Sequence, residues 1–213
     1  MTQKTPAEER SPADRLEATI EALPAGSVTL AQVRDLFGSD GLMLLAAFLT
    51  IVFLVPVSVP GVSTVFGAGI LLIGVSRLFR LQLWLPKRIE RRLVDTEKLR
   101  SALRRGLVWF RRLERISRPH RISWAASDGA VRVVNDCAII LGAGLLMAPF
   151  GLIPFSNTFP AVALLFLSIG SIQRDGLFML LGHLSNLLSI AYFALLIGGG
   201  GYALLSFIQR LLP

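Results

Sequence analysis

The sequence predicts an all-α integral membrane protein built from two internally repeated broken-helix hairpins, re-entrant or fully spanning, and a basic amphipathic surface helix. Three observations carry this. First, 53% of the residues are hydrophobic and only 17% are charged, against about 45–50% and about 25% in soluble domains. Second, the charges are segregated: residues 41–76, 137–173 and 176–209 contain no Asp, Glu, Lys or Arg, and a helix needs about 20 apolar residues to cross a bilayer. Third, the apolar runs are broken twice by similar chemistry, "VPVSVPGVST" at 55–64 and "APFGLIPFSNTFP" at 148–160.

Residues 1–40 read as a cytoplasmic arm with short amphipathic helices. Ser11 is placed as an N-cap, with Pro12 at the first helical position and Asp14 in the first turn. Thr29 and Gln32 have the spacing of a capping box, and Gly38 that of a helix stop. Leu30, Val33, Leu36 and Phe37 would form one apolar face, packed on the membrane domain or lying in the interface. The first twenty residues are polar, so the first membrane run is expected to be uncleaved. Residues 41–77 form the first hairpin, with Asp40 capping its first helix. Segments 42–55 and 62–76 would each be roughly 21–23 Å long, short of a hydrocarbon core of about 30 Å. Re-entrant helices, or tilted spans in a thinned bilayer, both fit that length.

Residues 78–127 read as a basic surface segment on the cytoplasmic side. Fifteen of the 22 Lys and Arg residues fall between Arg77 and Arg121. Trp84 suits the interfacial belt and Pro86 a helix start, and Ile89, Leu93, Leu103, Leu107, Phe110 and Leu113 recur at helical spacing. The positive-inside rule accounts for this cluster, so membrane lipids rather than nucleic acid are the expected partner, with Arg88, Arg91, Arg92, Arg104 and Arg105 meeting anionic headgroups. Residues 128–174 form the second hairpin, its first span at 131–147 with Arg132 and Asp136 at the interfacial end. Residues 175–213 supply C-terminal membrane helices, one at 177–196 and another after the interruption "GGGG" at 198–201. The lone Cys137 excludes an internal disulfide and is expected to be a small buried residue.

The breaks align as "PGVST" (60–64) and "PFSNT" (154–158), each between apolar helices and each unit closed by an arginine, Arg77 or Arg174. Proline removes a backbone donor, and a broken helix at membrane depth is tolerated only where protein or water satisfies the freed groups. Broken helices from two repeats commonly build a solute site. That makes Pro60, Ser63, Thr64, Pro154, Asn157 and Thr158 candidate substrate-binding residues; the same side chains could equally cap helices at an interface. His183, on one face with Asn186, is added as a modulator, either a proton relay or a donor to a helix end. No catalytic, nucleotide-binding or metal-binding motif is present, so the expectation is a non-enzyme without cofactor or metal.

The stretches "PGVST", "WLPKRIERRLV", "WFRRLERISRP" and "GLIPFSNTFPAVALLFLSIGSIQRDGL" resemble the exopolysaccharide-synthesis ExoD family of small bacterial membrane proteins, over about residues 27–197. The resemblance implies an inner-membrane location and a link to exopolysaccharide production and envelope stress. It carries no catalytic motif or substrate with it.

Two functions are compatible with these features. One is a small transporter or channel for an ion or a small polar or zwitterionic solute held between the breaks. The other is a non-transporting accessory protein of exopolysaccharide synthesis that binds anionic lipid or a lipid-linked precursor. A polar chamber between the breaks would favour the first, a dry core with a basic groove the second. Short hairpins need protein around them, so a homodimer is expected. With the N-terminus and the basic segment cytoplasmic, both breaks would be entered from one side, making the repeats parallel.

Overall fold

A computed structural model describes residues 11–54, 61–81, 91, 93–117, 121–149 and 153–211. The chain is mostly helical. Helix α1 (Pro12–Glu21) begins where Ser11 Oγ accepts from the Asp14 N–H at 3.2 Å. Helix α2 (Leu30–Ile51) begins at the expected capping box, with Gln32 N–H donating to Thr29 Oγ1 and Thr29 N–H to Gln32 Oε1. The break expected at Gly38 is absent: α2 runs on through Gly41 and ends in a 3-10 turn, Val52–Leu54. Each interior glycine costs about 1 kcal/mol relative to alanine. That does not stop a helix whose next turns bury Met43, Leu44, Ala46 and Ala47.

A two-stranded antiparallel ribbon, β1 (Ser27–Thr29) with β2 (Leu93–Asp95), was not legible in the sequence. It pins the arm to the start of helix α4 (Thr96–Ile116), where Asp95 Oδ1 accepts from the N–H groups of Glu97 and Lys98. Leu93, assigned to the helical stripe, is an exposed strand residue. Helix α4 is strongly amphipathic, as expected, but its apolar face does not lie open for a bilayer. Leu103 and Leu107 are buried with Ala13, Leu16, Ile20 and Leu23 from α1 and its C-terminal end. The arm therefore covers the stripe that the sequence alone leaves uncovered.

The main bundle comprises α2, α3 (Val62–Leu78), α5 (Ala130–Leu146), α6 (Thr158–Gln173) and α7 (Gly176–Leu211). Its core includes Met43, Phe53, Ile70, Ile73, Ile139, Leu146, Leu164 and Leu167. Helix α3 lies along α5 in the opposite direction: Gly67 faces Met147, Gly74 faces Ile139 and Ile140, and Arg77 reaches Asp136. A Cβ on Gly67 would sit 2.5 Å from Met147 Cγ, and one on Gly182 of α7 would sit 2.5 Å from Leu167 Cγ. Small residues at these crossings let the backbones approach. Helix α2 packs along α6, and α6 along α7.

Two expectations need correction. Cys137 is exposed; it shares the outer stripe of α5 with Val133, Val134 and Leu141, while Asp136, Ala138 and Ile139 face inward. The four glycines at 198–201 do not interrupt α7, which continues as one 36-residue helix. With no proline there to remove a donor, glycine lowers helix stability without ending the ladder. Among the described residues, one helix is long and apolar enough to cross a membrane, at Gly176–Gly199.

Candidate functional site

The antiparallel course of α3 and α5 puts both breaks at one end of the bundle and a cluster of charged side chains at the other. At the charged end Asp136, fully buried, accepts from Arg77 Nε at 3.0 Å and from Arg132 Nη1 at 3.3 Å. Arg77 Nη2 also donates to Ser171 Oγ at 2.8 Å, and Arg132 Nη1 to the Arg77 carbonyl at 3.1 Å, in the last turn of α3. One carboxylate thus ties α3, α5 and α6 together. Asp175, also fully buried, starts α7: its Oδ1 accepts from the Leu177 N–H and its Oδ2 from Ser117 Oγ, with Arg121 Nε 3.7 Å from Oδ1.

A cavity of about 190 Å³ opens beside this cluster, lined by Arg77, Arg132, Arg174, Asp128, Asn135 and Ser171 among others. Arg174 is largely exposed, and its Nη2 lies 3.9 Å from Asp128 Oδ2. At the same rim α5 begins at Gly129 (φ 83°), with no side-chain cap. Behind the cavity, Asn135 Nδ2 donates to the Ala125 carbonyl at 3.0 Å, and its Oδ1 lies 2.8 Å from His183 Nε2. That network puts the imidazole proton on Nε2. Asn186, on the same face of α7, donates to the Ala138 carbonyl at 2.8 Å.

The residues singled out at the breaks lie elsewhere. Ser63 and Asn157 are buried, Thr158 is half-buried, and Thr64 and Pro154 are exposed; Pro60 and the rest of 55–60 lie outside the described residues. Gly61, in the left-handed region at φ 85°, is the N-cap of α3, and Asn157 is the N-cap of α6; neither helix start has a side-chain cap. The packing around them is aromatic: Phe53 against Phe66 at 5.8 Å between ring centroids, and Phe159 against Tyr192 at 5.2 Å. Tyr192 Oη donates to the Pro154 carbonyl at 2.6 Å. His183 is not brought to this group. It lies nine residues before Tyr192 on α7, a rise of roughly 13 Å, and bonds toward the charged end instead.

Of the expected lipid contacts, Arg91, Arg104 and Arg105 are exposed; Arg88 and Arg92 lie outside the described residues, as do Trp84, Pro86 and Ile89. The side chains of Leu30, Phe37, Asp40, Phe110 and Leu113 are also outside them. Sequence reasoning missed Asp136 and Asp175 as buried anchors. The Arg132 and Asp136 spacing, four apart on an apolar helix, was the available signal; the bonds from Arg77 to Asp136 and to Ser171, 59 and 94 residues further along the chain, had none.

The family described as "Exopolysaccharide synthesis, ExoD" matches residues 13–195. Protein ExoD of Rhizobium meliloti (strain 1021) is 43% identical over 195 residues, covering 92% of this chain and 79% of that protein. An uncharacterized protein of Synechocystis sp. (strain PCC 6803) is 27% identical over 179 residues, covering 82% of each. No solved structure matches.

Proposed function

The chain belongs to the ExoD family, linked to exopolysaccharide synthesis, and from that premise we propose that it is a multi-pass accessory protein of the bacterial inner membrane. In this reading it serves exopolysaccharide production without transporting a solute or catalysing a reaction. Its charged end and α4 face the cytoplasmic headgroup layer, where they engage anionic lipid or a lipid-linked precursor. The observation that carries this is the axial separation of the bundle, with arginines and carboxylates at one end and apolar, aromatic packing at the breaks. A solute site between the breaks would draw its support from a polar chamber there. The described residues at that end bury only a few small polar side chains, among them Ser63, Ser156 and Asn157, alongside the aromatic pairs Phe53–Phe66 and Phe159–Tyr192.

The pairing of α3 with α5 and of α2 with α6 supports an internal repeat. Exchanging α2 with α5 and α3 with α6 turns one pairing into the other. Breaks at a common end support parallel repeats, and the positive-inside rule favours a cytoplasmic N-terminus. Tyr192, which marks break level, is about 24 Å along α7 from Gly176, less than the hydrocarbon thickness of about 30 Å, which favours hairpins that stop short of the far surface. The exposed leucines of α7, such as Leu184, Leu187 and Leu195, then face acyl chains or a second copy in a homodimer.

A deletion strain complemented with variants tests the reading. Arg91→Gln with Arg104→Gln and Arg105→Gln should cut exopolysaccharide output and weaken binding to anionic vesicles, each arginine contributing about 1 kcal/mol at such a surface. Ser63→Ala with Asn157→Ala should restore output. Full output from the arginine triple variant, with loss in the Ser63/Asn157 pair, would reverse the assignment in favour of transport.

A further inference from the structure

The geometry points to the cavity between α3, α5 and α6 as a binding site for a single phosphate or diphosphate group. The inference rests on the lipid-facing reading above and gives it a defined pocket. Arg77, Arg132 and Arg174 line the cavity, with Asp128 at its rim and Asp136 buried behind. Three guanidinium groups against two carboxylates leave one net positive charge for an anion. The donors are not exhausted by the internal bonds. A guanidinium has five N–H groups. Arg77 spends Nε on Asp136 and one Nη2 hydrogen on Ser171, while Arg132 uses Nη1 alone. Arg77 Nη1 and Arg132 Nε and Nη2 remain for a ligand, and Arg174 lies beyond hydrogen-bond distance of Asp128 at 3.9 Å.

Asp136 makes this pocket pre-organised. By fixing Arg77 and Arg132 from behind, it removes the side-chain freedom that surface arginines lose on binding. The start of α5 adds to the field: it lacks a side-chain cap, and helix N-termini favour anions. The volume sets the ligand class. At about 190 Å³, the cavity is below the roughly 300–1,000 Å³ of pockets that enclose whole drug-sized molecules. It suits a headgroup-sized oxyanion whose remaining substituent projects outward. Asp128, exposed at the mouth beside Arg174, occupies the position where such an anion would compete for that guanidinium.

Opposite-sign variants test the site in the full-length purified protein. In neutral detergent, binding of inorganic pyrophosphate is measured by calorimetry. In phosphatidylcholine nanodiscs, binding of phosphatidic acid is measured by native mass spectrometry. Arg174→Gln should weaken binding about fivefold to tenfold, and Asp128→Asn should tighten it about twofold to fivefold. Lys98→Gln, an exposed change of equal charge on α4, should leave it unaltered. Partial unfolding would weaken binding in both site variants, so the tightening discriminates. This pattern with pyrophosphate assigns the site to the free anion; the pattern with phosphatidic acid alone assigns it to a lipid-borne phosphate. No binding of either probe, or binding that Asp128→Asn weakens, overturns the site. If the pattern holds while Arg174→Gln supports normal exopolysaccharide output, the site stands and its link to the accessory function falls.

Discussion

Asp136 has no exposure to solvent, yet it carries a charge that two arginines from different helices neutralise. Removing one member of a buried pair leaves its partners uncompensated, at a cost of about 3–5 kcal/mol. Arg77 and Arg132 are each about one-fifth exposed (19% and 23%), so water relieves part of that penalty. Asp136→Ala is therefore expected to destabilise the protein by about 2–4 kcal/mol in detergent unfolding. Asp128→Ala, with an exposed side chain, should cost less than about 1 kcal/mol. Equal effects of the two would mean that Asp136 is not the anchor. At this scale two caps were legible, because Ser11, Thr29 and Gln32 act through neighbours three residues away; the stop at Gly38 and the cap at Asp40 were not, since both fall inside the continuous α2. The partners of Asp136 were not, because a contact between residues 77 and 136 is set by the crossing of helices and leaves no mark in local spacing.

Among the elements, α4 and α7 were legible in period and composition and misjudged in context. A period of 3.6 gives the apolar face of α4 but not what covers it; α1 does, with Arg100 Nη2 donating to the Leu23 carbonyl at 2.9 Å, just beyond the α1 C-terminus. The glycines of α7 read as a stop because glycine is common where helices end in a left-handed residue. None of the glycines in α7 is among those with positive φ. An added Cβ at Gly199 meets nothing within 4 Å. Gly199→Ala should accordingly stabilise the helix by about 0.5–1 kcal/mol, read as a raised melting temperature. Gly199→Pro should cost about 3 kcal/mol. A helix at 199 that tolerates proline without loss would mean that the chain does turn there, as the composition alone suggests.

For the whole molecule, the all-α class and the paired breaks could be read from segregated charge and proline placement. The location of the polar cavity could not, since it depends on α3 and α5 running in opposite directions. That arrangement also makes the two ends of the bundle mechanically unlike. Ion pairs are directional and fix register: Arg77 cannot slide along α5 without leaving Asp136. At the other end the described contacts are mainly dispersion between rings and aliphatic groups, with one hydrogen bond from Tyr192 Oη to the Pro154 carbonyl. The charged end is therefore expected to hold its register more tightly than the break end. Hydrogen exchange should show this as a gradient along single helices, with amides at 65–67 and 161–163 exchanging faster than those at 74–77 and 170–173. Asp136→Asn should loosen the charged end and flatten the gradient, while a uniform profile in the unaltered protein would mean that both ends are equally held. Any adjustment of the bundle to its surroundings is then expected at the break end, with the spacing of Arg77 and Arg132 kept by Asp136.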